Sequence, residues 1–271
     1  QVGCRKYSPD VEFIPKKKLL RIPQYNITEI PVFHYRETLM PDASDPAYAE
    51  WHKLHHRSER EKDWGMWVHT FDDLVPPEKY FNEHPEYFSL NNGVRSSKTQ
   101  LCLSNPNVLD LVILRLKELI SKNPQANHWS ISQNDTYGPC ECLGCENIDN
   151  QYGGVPSGSL IYFVNQVAER FPNKIISTLA YQYSRKAPEG IKPVENVNIV
   201  LCTIELNRSR PIRSDPSSQG FVNDISNWKK LTNNILIWDY IVQFRNYLDP
   251  FPNLHVLQPN IQFFSDSGVH M

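Results

Sequence analysis

No apolar run in these 271 residues approaches the ~18–20 needed to cross a bilayer, so a membrane span is excluded and the chain reads as soluble. Basic excess is lacking too. The formal net charge is −2 and the pI lies near 6.5, which leaves no electrostatic footprint for nucleic acid. The chain opens Gln1-Val2-Gly3-Cys4, without a start methionine or a signal peptide, so its compartment has to be argued from chemistry. There is no Gly-rich phosphate loop, no Gly-x-Ser-x-Gly elbow and no His-Glu-x-x-His, which removes the common phosphate-binding, serine-hydrolase and zincin readings. A disulfide framework is missing as well. Cys4, Cys102 and Cys202 are scattered singly, and the last two sit in apolar segments that suit buried free thiols.

What the chain does have is a run of strand-like segments that end in acids. His128-Trp129-Ser130-Ile131-Ser132-Gln133-Asn134-Asp135 passes from a β-forming stretch into polar side chains and a carboxylate. Val197 to Glu205 and Ile235 to Tyr240 repeat the pattern, closing on Glu205 and Asp239. In a barrel of parallel strands, catalytic groups sit at strand ends because the following loops build the active face. Directly after the first of these segments comes Cys140-x-Cys142-x-x-Cys145, the one unusual cysteine cluster.

Helical patterns alternate with the strand-like ones. Asn105-Pro106 offers a cap followed by proline at the first helical position, and Leu109, Val112, Ile113, Leu116, Leu119 and Ile120 continue as an apolar face. Further helices are expected after Pro156-Ser157, around Phe221 to Leu231, and over residues 260–267. Strands are expected near 32–37, 51–56, 65–71, 128–134, 174–181, 197–204 and 235–239. The segment after residue 71 runs through Pro76-Pro77, Pro85 and Asn91-Asn92-Gly93, an excursion long enough to suggest a functional loop. This alternation predicts an α/β fold of the (β/α)8 barrel type. Residues 1–30 read as the tail of a preceding domain with its connector, and 31–271 as the barrel. Val269-His270-Met271 would open one more strand, so the barrel is expected to be incomplete before or within its eighth strand and to belong to a longer chain.

Several stretches resemble a known family. Gly3-Cys4-Arg5, Trp64-Gly65-Met66-Trp67-Val68-His69-Thr70-Phe71, Val75 to Phe81 and Gln100-Leu101-Cys102-Leu103-Ser104-Asn105-Pro106 do so. So do Ser130-x-Ser132-Gln133-Asn134-Asp135, the Cys-x-Cys-x-x-Cys run, Leu179-Ala180-Tyr181-Gln182-Tyr183 and Ile237-Trp238-Asp239-Tyr240. Together they resemble bacterial domain-of-unknown-function family 4838 over nearly the whole chain. The resemblance implies a domain of secreted carbohydrate-degrading proteins, related in fold to family 20 hexosaminidases and family 67 α-glucuronidases. Family 20 enzymes place an Asp-Glu pair after their fourth strand. Asn134-Asp135 fills that position here, and Asn134 cannot supply the first negative charge. Family 67 enzymes place acids at three strand-end levels, where Asp135, Glu205 and Asp239 fall.

Glycoside hydrolysis needs one protonated and one ionised carboxyl group. Asp135 is the candidate acid, with Glu205 or Asp239 as base or nucleophile. The bland alternative for each is a helix cap or an ion pair with an arginine such as Arg185 or Arg245. Arg36, His69, Gln133, Asn134, Tyr181, Tyr183, Trp238 and Tyr240 lie at or near strand ends and are candidate saccharide binders, although any one of them could be packing. No cofactor is expected for catalysis. Cys140, Cys142 and Cys145 suggest a structural zinc whose fourth ligand the sequence does not name, with free thiols or a local disulfide as alternatives. His52, His55 and His56 read as a solvated helix face rather than a metal site. The expected function is hydrolysis of an extracellular or periplasmic oligosaccharide or polysaccharide by a bacterial secreted or periplasmic protein. The rival is a barrel that binds a glycan without cleaving it.

Overall fold

The computed structural model describes residues 3–269 apart from 23, 25 and 248. The described residues divide into two compact units, one up to residue 63 and the other spanning 64–269. That division falls at Asp63/Trp64, later than the boundary near residue 30 expected from composition.

The first unit opens with an antiparallel hairpin, β1 (Arg5–Ser8) and β2 (Val11–Phe13). The Lys6 ammonium ties it by bonding Glu12 at 2.6 Å and the Pro9 carbonyl at 3.1 Å. Two short helices follow, α1 (Pro46–Trp51) and α2 (Arg57–Asp63). The strands expected at 32–37 and 51–56 are not present. Arg36 and His55 meet in a single pairing, His55 N–H on the Arg36 carbonyl at 2.7 Å and Arg36 N–H on His55 Nδ1 at 3.1 Å. One such pairing is a contact, not a ladder.

The second unit is built on five parallel strands, β3 (Trp64–Met66), β6 (His128–Ser130), β7 (Ile175–Ala180), β8 (Val197–Cys202) and β9 (Ile235–Trp238), hydrogen-bonded in that order. A separate two-stranded ribbon, β4 (Leu90–Asn91) with β5 (Val94–Arg95), lies in the excursion after β3, as do helices α3 (Phe71–Leu74) and α4 (Pro77–Tyr80). Sequential order throughout means that every crossover advances in the same direction. Right-handed crossovers then place the connecting helices on one face of the sheet, whereas a doubly wound sheet reverses its order partway. The connecting helices are α5 (Pro106–Lys122), α6 (Leu143–Gln151), α7 (Ser157–Glu169), α8 (Gln219–Leu231) and, after β9, α9 (Leu254–Asp266).

α5 forms as its sequence dictates. The Asn105 side chain accepts the Asn107 N–H at 2.9 Å, Pro106 presets the first turn, and Val108, Val112 and Leu116 repeat every four residues on the buried face. Each of those side chains contributes roughly 1.5–3 kcal/mol on burial. α9 begins at Leu254, six residues before the expected start, with Pro259 inside it. Beyond Val269, the strand expected at Val269-His270-Met271 lies outside the described residues.

Register assigns the two faces of the sheet. Ser130 pairs with Ser177, Ser177 with Asn198, Val200 with Leu236 and Cys202 with Trp238, so these residues share one face. Trp129, Ile176, Ile199 and Ile235 occupy the other, which faces the helices. The sheet is also rolled. β3 and β9 are its two edges, four strand spacings apart, about 19 Å if the sheet were flat. Yet the Trp67 ring, just past β3, lies 5.5 Å from the ring of Trp238 at the end of β9. Only curvature toward the face that carries Trp238 brings the two edges within side-chain reach. At the β3–β6 seam the glycine is obligatory, because a Cβ on Gly65 would sit 2.3 Å from the buried Trp129 ring.

Candidate active site

All five parallel strands end at the same rim, and the residues following them make the site. After β3 come Trp67, His69 and Thr70. After β6 come Gln133, Asn134 and Asp135, after β7 Tyr181 to Ser184, after β8 Thr203 to Glu205, and after β9 Asp239 and Tyr240.

His69 adopts φ +57°, a left-handed conformation that a non-glycine residue holds only under compulsion. Two bonds supply it: the backbone N–H donates to Ser132 Oγ at 2.9 Å, and Nδ1 meets the Gln133 carbonyl at 2.8 Å. A carbonyl only accepts, so Nδ1 carries the hydrogen and, in the neutral ring, Nε2 is the acceptor. Gln182, next to Tyr181, is likewise left-handed at φ +49°. Strained non-glycine backbone at this rim accords with the habit of functional sites.

The centre of the rim is Tyr181. Its hydroxyl donates to Asp135 Oδ1 at 2.9 Å and accepts from Gln182 Nε2 at 3.0 Å, and its ring centroid lies 6.0 Å from that of His69. Burial first, then the Asp135 bond and charge, with lesser pushes from Cys202 and Glu205, raise the phenol to about 12. Tyr181 therefore keeps its proton at neutral pH and remains a donor. Tyr240 is also raised, by burial and by the fields of Cys202, Tyr181 and Asp135. The buried Cys202 thiol is pushed up by burial and then by Glu205. These mutual influences put Asp135, Tyr181, Cys202, Glu205 and Tyr240 in one neighbourhood. Trp67, Trp238 and Tyr240 form a chain of rings alongside, at 5.5 and 6.4 Å.

Asp135 itself is exposed, not partly sunk as a proton donor in an apolar pocket would be. Glu205 is held by Arg185, Nη1 to Oε2 at 3.0 Å, and Arg185 turns its Nε to Asp224 Oδ2 at 2.8 Å. The arginine partner considered for the strand-end acids is thus the one Glu205 takes. Asp239 points elsewhere. It shares strand parity with Ile235 and Ile237, accepts Thr203 Oγ1 at 2.7 Å, and lines a 10 Å³ cavity with Arg208, Ile212, Val256 and Asn260, on the helical side. Such a cavity holds about one water molecule. Burial raises the Asp239 carboxyl, while the Thr203 hydroxyl and the Arg208 charge pull it the other way.

Other expected binders are placed differently. Gln133 is fully buried, and its amide donates to the Ser184 hydroxyl at 2.6 Å and to the Leu179 and Tyr181 carbonyls, so it braces β6 against the turn after β7 and offers nothing at the rim. Asn134 is engaged by protein: Nδ2 donates to Asp72 Oδ1 and to the Thr99 carbonyl, both at 2.8 Å. Tyr183 packs edge-on against Tyr137 at 5.7 Å. Arg36 belongs to the first unit, where its guanidinium caps the Phe33 and Lys53 carbonyls at 2.5 and 2.8 Å. There too, His52, His55 and His56 have separate protein partners.

The cysteine cluster gathers a member not expected from the sequence. Cys102, read as a lone buried thiol, lies beside Cys140, Cys142 and Cys145, all four sulfurs within 4.8 Å of one another. Hydrogen bonding from Cys140 first, then Cys145, Ser104 and Arg95, favours the thiolate at Cys102. In return that sulfur pushes Cys140 up to about 12 and raises Cys145 as well. Thr203 and Trp67, which position the rim, were also not singled out from the sequence. Trp67 fell inside the strand expected at 65–71, and it becomes a rim residue because β3 ends at Met66.

The chain belongs to the family described as domain of unknown function DUF4838, whose model matches residues 6–271. No curated protein matches it. Among solved structures it is similar to family 36 α-galactosidases of Geobacillus stearothermophilus. The AgaA enzyme in complex with stachyose shares 13% identity at a TM-score of 0.27, with 69% of this chain and 28% of that one covered. AgaB shares 12% at a TM-score of 0.27, with the same coverage, 69% and 28%. The chain spans less than a third of the length of these enzymes, and at such TM-scores the likeness carries no argument.

Proposed function

We propose that the rolled sheet is an arc of a (β/α)8-type barrel and that its rim binds a saccharide and hydrolyses a glycosidic bond. The observation that carries this reading is the Asp135 carboxylate on the Tyr181 hydroxyl, with Glu205 near enough for its charge to reach that phenol, beside the Trp67–Trp238–Tyr240 rings. Flat sugar faces stack on aromatic rings while polar groups fix the hydroxyls, which suits His69, Tyr181 and Tyr240. Glu205, gripped by Arg185, is the ionised partner that attacks the anomeric carbon or activates water. Asp135 accepts from Tyr181 through Oδ1, which leaves Oδ2 to carry a proton to the leaving oxygen. Asp239 holds Thr203 and takes no part. A polysaccharide substrate would place the domain outside the cytoplasm, secreted or periplasmic. No described helix is long and apolar enough to cross a membrane.

One observation favours a second reading. Asp135 is exposed and Glu205 is paired, which suits a barrel that holds a glycan without cleaving it. A panel of aryl glycosides and oligosaccharides separates the two. Hydrolysis is expected, with Asp135→Asn losing about 10²–10⁴-fold on poor leaving groups and much less on activated ones. Binding without turnover, weakened by Trp238→Ala, would establish the non-catalytic reading. Neither binding nor turnover would overturn both.

A further inference from the structure

We infer that Cys102, Cys140, Cys142 and Cys145 form a closed tetrathiolate site for a single Zn²⁺. The four come from two distant stretches. Cys102 immediately follows the bridge between Phe88 and Leu101, Cys140 and Cys142 lie on the loop after β6, and Cys145 is in the first turn of α6. A tetrahedral ion with Zn–S bonds of about 2.3 Å sets its sulfurs about 3.8 Å apart. Here Cys102 and Cys142 Sγ are 3.5 Å apart, no pair exceeds 4.8 Å and all four cysteines are free, an arrangement close to the tetrahedral spacing.

The surroundings are those that thiolates need. The Leu90 N–H donates to Cys140 Sγ at 3.3 Å, and the Arg95 guanidinium reaches the same sulfur at 3.6 Å. Ser104 lies within 3.6 Å of Cys102, Cys142 and Cys145 Sγ alike. Four thiolates around Zn²⁺ leave a charge of minus two, and such donors are what stabilise it. Each Zn–S bond replaces an S–H bond, whose proton passes to solvent. The approach also explains Gly144, since a Cβ there would sit 2.6 Å from Ser104 Oγ and force the 102–104 turn away from α6.

The ion would act as a staple, not a reagent, because four protein sulfurs leave no position for substrate. What it holds lies next to the rim. Gln100, two residues before Cys102, accepts the Asn134 N–H at 2.9 Å and donates to the Asn134 and Thr136 carbonyls at 3.0 and 2.6 Å, on either side of Asp135. The site stands whether or not the rim cleaves sugars, so its test reads metal and thiols.

Protein purified without chelator is expected to contain one zinc per chain by elemental analysis. Titration of a Cys4→Ser variant with an organomercurial should release that zinc as the four cluster thiols react. Cobalt substitution should give the intense thiolate-to-metal absorption and the d–d bands of a tetrahedral sulfur site. Cys102→Ser should lose the stoichiometric metal, and Cys4→Ser should keep it. Because wild type alone answers the metal analysis and the cobalt spectrum, misfolding of a variant cannot hide the result. Zinc near zero with the cluster's four thiols titratable beside Cys4, two disulfides among them, or stoichiometric iron in place of zinc would each overturn the assignment. Full zinc retained in Cys102→Ser would overturn the fourth ligand.

Discussion

Replacing Arg185 with methionine removes a cation that joins the rim to the helical layer. Its guanidinium sits between Glu205 and Asp224, with side-chain exposures of 21%, 39% and 9% respectively. An exposed pair contributes ~0–1 kcal/mol, and the Glu205 arm, more than a third exposed, belongs in that class. The Asp224 arm does not, since truncating one partner of a buried pair costs about 3–5 kcal/mol by leaving a charge without compensation. Arg185 is about a fifth exposed, which moderates that figure to roughly 2–4 kcal/mol. At about 2–4 °C per kcal/mol for a unit of this size, the melting temperature should fall by roughly 5–15 °C.

The pH dependence gives the sharper test. Burial raises the Asp224 carboxyl, and Arg185 opposes the rise through its hydrogen bond and charge. A carboxyl raised on folding binds its proton more tightly in the native state. Its contribution is therefore complete below the unfolded carboxylate range, near pH 4, and falls as pH climbs through the folded value. Arg185→Met pushes that folded value higher still. The stability difference between wild type and variant should be small near pH 4 and widen toward neutrality in paired chemical-denaturation curves. A difference that stayed flat, or widened toward acid, would refute the reasoning. Arg185→Met with Asp224→Asn should recover most of the neutral-pH loss, because the stranded charge is gone.

Two further substitutions test the placement of groups behind the rim. Gly65→Ala forces a methyl into ring atoms of Trp129 at 2.3–2.5 Å, an overpacking that should cost about 1–3 kcal/mol and shift tryptophan fluorescence; an unchanged melting point would show that the β3–β6 seam is looser than drawn. Asp239→Asn keeps an acceptor for Thr203 while removing a carboxyl that burial has raised, so the variant's stability relative to wild type should climb as pH rises from the unfolded carboxylate range, near pH 4, through the raised folded value, and stay level above it. Saccharide turnover should stay within a few-fold in that variant, and a loss of several orders of magnitude would return Asp239 to the chemistry.

The fold was legible where a segment has the same neighbours in sequence pattern and in space. β7, β8 and β9 read as Ile/Val/Leu-rich runs interrupted only by small or polar residues such as Ser177, Thr178 and Asn198, and α5, α7 and α8 show their buried stripe every three to four residues. The segment at 32–37 has the same short-range look but no ladder partner, and pairing is a tertiary fact that local alternation does not encode. β3 stops at Met66, and His69 beyond it adopts a left-handed turn that its side chain does not announce. At α9 the proline at 259 masked the first turns, since proline inside a helix is costly enough to read as a boundary.

The site was legible by level but not by direction. Acids follow the ends of β6, β8 and β9 as the sequence pattern placed them, yet a strand that is apolar at every position, as β9 is, gives no polar side from which to tell inward from outward. Ile235-Leu236-Ile237-Trp238 is apolar at every position, so nothing local says that Trp238 turns to the concave face and Asp239 to the helices; the register with Cys202 does. The fourth thiol is hidden for a related reason. Cys102 precedes Cys140 across the whole of α5 and β6, and tertiary contacts such as the Gly144–Ser104 approach and the Leu90 N–H on Cys140 bring the sulfurs together. The same turn delivers Gln100 to the backbone around Asp135, where three hydrogen bonds from one buried carboxamide hold the carboxylate's position before any ligand arrives. Preorganisation of that kind depends on contacts between residues 99–102 and 134–145, and those contacts are a property of the folded loop pair, not of either segment's sequence.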